Sequence, residues 1–142
     1  VTRVRGAPVV PPLDGDPLLI DPRREDPMDF LRLDLSTCLF APAASASPRD
    51  AQRAAYTRDV LGLNRWDDLV RARRLAYQQF RNHLRCHLDD RAAGTSKGTP
   101  QQRAASVQEM SHATVWAEMK RQRAQHPELA ILFTAAPEAL MW

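Results

Sequence analysis

The chain has 142 residues, 44% of them hydrophobic and 26% charged, with a formal net charge of +3. That balance excludes a wholly disordered polyampholyte and a collagen-like chain, and no apolar run reaches the ~18–20 residues a membrane-spanning helix needs. Two cysteines exclude a disulfide framework.

Eight of the eleven prolines fall in the first 48 residues. Each proline fixes its own φ and drives the residue before it towards extended backbone, so residues 1–47 read as an extended arm. The arm carries apolar side chains, Val9, Val10, Leu13, Leu18, Leu19 and Ile20. A solvated linker has no use for them; an arm laid along another surface does, and they are the expected partner contacts at this end. The chain begins at Val1, which fits loss of an initiator Met or of a longer presequence that left Arg3 and Arg5 behind. Nothing near the start resembles the apolar core of about 7–15 residues in a secretory signal.

Residues 27–40 read two ways. Asp26 before Pro27 is a helix start, whereas Leu31, Leu33 and Leu35 alternate with polar residues as in a strand. The start signal predicts a short helix over 27–35.

The body spans 48–126. Ser47, Pro48 and Asp50 supply an N-cap, a first-turn proline and an acidic partner for a helix over 48–61, closed by Gly62. Asn64 and Asp67 repeat the start signal. Trp66, Leu69, Val70, Arg73, Ala76, Tyr77, Phe80, Leu84 and Leu88 then recur at three- and four-residue steps, the pattern of an amphipathic helix over 65–90. After a loop containing Gly94, Gly98 and Pro100, the run Thr99-Pro100-Gln101-Gln102 starts a helix over 100–125. Residues 127–142 form an apolar tail, divided by Pro137 into a short helix and an extended tip. Leu140, Met141 and Trp142 at that tip are the second set of expected partner contacts.

The fold class is therefore mainly α: a small helical hairpin or three-helix body with a proline-rich arm and an apolar tail. Large apolar residues are sparse in the body and alanines frequent, so the core buries little area and partner contacts are expected to supply the difference.

Candidate chemistry is thin. His83, Cys86 and His87 lie at i, i+3 and i+4 on one helix face, the minimum for a metal site, but a fourth ligand would have to come from Cys38 or His112. Solvated or part-buried helix residues are the simpler reading, and no cofactor is expected. The segment Gly94-Thr95-Ser96-Lys97-Gly98-Thr99 superficially resembles a phosphate loop, yet it follows a helix instead of a strand. Asp67 and Asp68 suit a first turn; Asp89 and Asp90 sit at a helix end that disfavours acids and call for Arg85 or Arg91 nearby.

Eighteen of the twenty basic residues are arginine, and the charge divides into −2 over residues 1–48 and +5 over 49–142. Arg74, Arg81 and Arg85 align at seven- and four-residue steps and could follow a phosphate backbone. Such a charge is modest for a dedicated nucleic-acid binder. The expectation is a non-catalytic accessory subunit of a large protein assembly, placed by the arginine bias and modest charge in a mitochondrial respiratory-chain or ATP-synthase complex. Its expected partners are other protein subunits, with peripheral contact to a membrane surface as an option. The alternative is an RNA-binding subunit of a mitochondrial ribosome.

Overall fold

A computed structural model describes residues 17–95 and 98–142, so Val9, Val10 and Leu13 lie outside the described residues. The protein is mainly helical. Its elements run α1 (Pro27–Phe30), β1 (Leu31–Asp34), β2 (Leu39–Pro42), α2 (Pro48–Val60), α3 (Asp67–Ala92), α4 (Pro100–Glu109), α5 (Ala113–Arg121) and α6 (Pro127–Ala135). Short 3₁₀ turns cover Arg123–Gln125 and Pro137–Met141.

The helix expected over 27–35 is a single turn that gives way to a strand. Asp26 accepts from the Met28 N–H at 2.9 Å and Pro27 occupies the first position, so the start signal is met. The alternating leucines then prevail. Leu31, Leu33 and Leu35 all point inward, and β1 pairs antiparallel with β2 in the register Leu31–Pro42 to Asp34–Leu39. The connecting turn is closed by the Asp34 carboxylate, which accepts from the Ser36 N–H at 2.8 Å and its hydroxyl at 2.5 Å, and by Cys38 at φ 61°.

Caps behave as the sequence requires. The Ser47 hydroxyl accepts from the Asp50 N–H, and Thr99 and Gln102 form a reciprocal capping box. Helix α2 ends in a left-handed residue, Gly62 at φ +64°, with the Leu63 N–H donating back to the Arg58 carbonyl at 2.9 Å. The Asn64 cap expected for α3 does not form. The residue before α3 is Trp66, without a side-chain cap, and Asn64 turns to β2 instead. Its Oδ1 accepts from the Phe40 N–H and its Nδ2 donates to the Phe40 carbonyl, both at 2.8 Å, which satisfies an edge residue of the hairpin.

The helix expected over 100–125 breaks at Met110–His112. Continued straight, it would turn Val107 about 80° away from Val115 and about 120° from Met119. With the break, all three are buried. His112 takes a left-handed conformation at φ 65° and α5 starts afresh.

The core joins Leu33 and Leu35 of the hairpin region, Ala76, Phe80 and Leu84 of α3, Val107 of α4, Val115, Trp116 and Met119 of α5, and Leu129, Leu132 and Phe133 of α6. Trp116 is its hub, with ring centroids 5.2 Å from Phe80 and 5.6 Å from Phe133. A buried polar network ties α5 to β1: Gln122 donates to the Leu33 carbonyl at 2.7 Å and to the fully buried Glu118 at 2.5 Å.

The C-terminal segment completes this core. Pro137–Met141 is a 3₁₀ turn and not an extended tip, and Ala139 and Trp142 are buried beneath it. The lean body thus fills its core with its own chain end.

Candidate protein-binding surface

Of the described residues among the expected partner contacts, Ile20 and Trp142 are buried within the chain, Leu18 and Leu140 are half-buried, and Leu19 and Met141 are exposed. Ile20 is buried and its N–H donates to the Thr57 hydroxyl at 3.0 Å. Arg53 donates to the Pro17 carbonyl at 3.1 Å and forms an ion pair with Glu25 at 2.5 Å while lying over the Phe30 ring. Leu18 is half-buried and only Leu19 is exposed. The described part of the arm is therefore held by α2 of its own chain.

At the other end Trp142 is 7% exposed and Leu140 half-buried, leaving Met141 alone in solvent. The Trp142 carbonyl accepts from the Trp116 indole N–H at 3.1 Å and from Lys120 at 2.8 Å. The Trp142 ring thus has an apolar bed, and its backbone carbonyl two donors, within the chain.

That bed includes the histidines. His83 and His87 both meet the Trp142 ring edge-on, with centroids 5.9 and 5.0 Å away, whereas Cys86 is exposed. His87 Nε2 lies 2.6 Å from Glu138. The three residues are thus not brought together, and among the described residues no group of three His, Cys, Asp or Glu side chains could hold a metal. Burial pushes the His83 pKa down, helped by the nearby charges of Arg103 and His87. Burial alone would raise the Glu138 carboxyl, but hydrogen bonds from His87 and its own N–H, with the charges of His87 and Arg91, hold it below the usual value.

Beside this lock lies a cavity of about 360 Å³ lined by His87, Asp90, Arg91, Arg103 and Glu138 and by Gly94 and Gly98. Its charges are already matched: Arg103 pairs with Asp90 at 2.9 Å and Arg91 with Glu138 at 3.2 Å. The acid at the end of α3 is thus satisfied by α4, and neither Arg85 nor Arg91 serves it. The loop that resembles a phosphate cradle includes Ser96 and Lys97, which lie outside the described residues.

The arginine row is also occupied. Arg81 and Arg85 both donate to Glu128 of α6, and Arg81 stacks over Tyr77. Among the described residues only Arg74 of the three has no such carboxylate, and its charge lies close enough to act on the Cys38 thiol. Burial raises the Cys38 pKa, and the Arg74 charge and hydrogen bond offset part of the effect. The carboxylate that engages Arg81 and Arg85 lies 47 and 43 residues away in the chain, beyond what helical spacing can reveal.

What remains open is a corner that includes Trp66 and Leu69, two residues of the helical stripe. Trp66 is 63% exposed, and Tyr56, Val60, Leu61 and Leu69 are exposed around it. They occupy the last turns of α2, the connecting loop and the first turn of α3. Trp66 packs its indole against Gly62, where an added Cβ would meet Nε1 at 2.7 Å. The one available signal was density: residues 56–70 contain more large apolar side chains than two helix ends can bury in a small body. Exposed aromatic and aliphatic side chains gathered in one place mark interaction surfaces.

Among the described residues no helix is long and apolar enough to cross a membrane. Compared with known proteins, the chain matches no family model, no curated protein and no solved structure.

Proposed function

We propose that this protein is a non-catalytic subunit of a larger protein assembly and that it docks onto other polypeptides through the corner formed by α2 and α3. The exposure of Trp66 among Tyr56, Val60, Leu61 and Leu69 carries the reading. Burying such a cluster against a partner releases roughly 25 cal/mol per Å² of apolar surface, and a Trp at its centre suits a hot spot. Placement of the assembly in a mitochondrial respiratory-chain or ATP-synthase complex rests on the arginine bias and the modest charge of the sequence. The RNA-binding alternative is less well supported, since Glu128 engages Arg81 and Arg85.

The test is native electrophoresis of the tagged chain at its natural level in the source cells, beside a Leu61→Ser/Trp66→Ser variant. The expected result is migration in a high-mass complex of constant stoichiometry, with the variant released while its circular dichroism is unchanged. Migration of the unaltered chain as a free monomer would overturn the proposal.

A further inference from the structure

Arg73 is the only basic side chain among the described residues that is fully buried, at 6% exposed. Charged side chains in such positions are ordinarily paired with an opposite charge, because desolvating an ion costs several kcal/mol. Arg73 has no such partner among the described residues. Its Nη1 donates to the Cys38 carbonyl at 3.2 Å, its Nη2 to the Leu63 carbonyl at 2.7 Å, and its guanidinium lies 4.6 Å from the Phe40 ring centroid. These contacts use two of the five N–H donors of a guanidinium and bring no negative charge. Burial accordingly lowers the Arg73 pKa from its ordinary value, and the Cys38 sulfur returns part of the loss.

The same side chain lines a cavity of about 250 Å³. His112 and Thr114, at the start of α5, line it as well. That helix has no side-chain cap, so its first-turn N–H groups add their positive end to the field of the guanidinium. Phe40, Leu63 and Leu69 form apolar walls, and Leu69 is partly exposed at the surface. A buried cation without a counter-ion among the described residues and a helix start without a side-chain cap thus line one space whose other walls are mostly apolar.

We infer that this cavity is a binding site for a small organic carboxylate, its charge held by Arg73 and the start of α5 and its apolar body by Phe40, Leu63 and Leu69. Carboxylate geometry matches the fork of a guanidinium, which offers two parallel donors. The apolar walls disfavour inorganic phosphate, whose oxygens would lose their hydration on every side with donors on only one. The cavity volume suits an acid of about the size of benzoate, slightly below the usual range for drug-like ligands. The site shares Leu69 with the docking corner but does not depend on it, and it requires no partner chain.

The experiment is a titration of the ¹⁵N-labelled full chain with benzoate, with benzamide and inorganic phosphate as controls. Saturable shifts of the Ala113 and Thr114 amides are expected with benzoate alone. Arg73→Gln should weaken binding about tenfold or more, the loss of a charge-assisted contact. Because Arg73 also ties two loops together, Leu69→Trp is the second variant: it fills the mouth of the cavity, leaves both carbonyl bonds of Arg73 in place, and should abolish the shifts. The inference is overturned if benzoate gives no saturable shift, if benzamide or phosphate shifts the same amides equally, or if folded Leu69→Trp binds benzoate like the unaltered chain.

Discussion

The Trp116 indole N–H donates to the carbonyl oxygen of Trp142 at 3.1 Å, so the hub of the core is hydrogen-bonded to the chain's own last residue. Trp142→Ala removes a ring that covers His83 and His87 and leaves a cavity against α3. The expected cost is about 3 kcal/mol, read as a lower urea midpoint at unchanged slope. A loss under about 0.5 kcal/mol, the range of a surface substitution, would show that the tail is not part of the core.

Asn64 exchanges two hydrogen bonds with the Phe40 backbone. Asn64→Ala leaves the N–H and carbonyl of a half-buried strand residue unpaired, so a loss of about 1–3 kcal/mol is expected. Asn64→Asp keeps the acceptor but sets a carboxylate oxygen against the Phe40 carbonyl, and it should rescue only part of the loss. Thermal melting of the two variants side by side reads the difference.

A single carboxylate, Glu128 of α6, is shared by Arg81 and Arg85. The pairs are partly exposed, so Glu128→Gln should cost no more than about 1 kcal/mol. Its larger effect is electrostatic: two arginines on α3 are freed, and the variant should elute from heparin at higher salt than the unaltered chain. Equal elution would mean that the arginines are not held by Glu128 in solution.

Burial depresses the pKa of His83 in the folded protein below the ordinary histidine value. The sign follows directly. Above that ordinary value both states are neutral at this group and it adds no pH dependence; as pH falls below it, the unfolded state takes up a proton before the folded state does. Stability is therefore fully present at pH above about 6.5 and falls as the medium is acidified towards the folded pKa. His83→Phe should flatten the urea midpoint between about pH 7.5 and pH 5.5 relative to the unaltered chain, a window above the range in which ordinary carboxylates titrate. An unchanged slope of midpoint against pH would refute this assignment.

Gly62→Ala tests the packing of the Trp66 indole against Gly62. The new Cβ meets the indole at 2.7 Å on a residue at φ +64°, so a destabilisation of about 1–2 kcal/mol is expected together with a shift in Trp66 fluorescence. Destabilisation without a fluorescence change would separate backbone strain from the indole contact.

Local chemistry made the element ends legible. Ser47, Thr99 and Gly62 act within a few residues of themselves, and the structure places α2 and α4 where those residues put them. The inward stripe of α3 from Arg73 through Leu84 follows the helical period in the same way. Other features depend on contacts between residues remote in the chain. The break at His112 arises because Val107 and Met119 must face one core. The pairing of Arg81 with Glu128 and the burial of Trp142 arise from how α6 and its following turn dock on α3. The candidate sites were legible to the same degree: helical spacing identified the arginine row and the histidines as sharing a face. It could not show that a remote glutamate and tryptophan cover that face, that Trp66 stays in solvent, or that Arg73 is sealed inside without a counter-ion. The sequence by itself determined that the chain is mainly helical and where α2 and α4 begin, because caps and periodicity are short-range. The tertiary structure alone decided which apolar and charged faces are consumed internally and which stay open, because that choice is made by packing between segments whose mutual register no local pattern encodes.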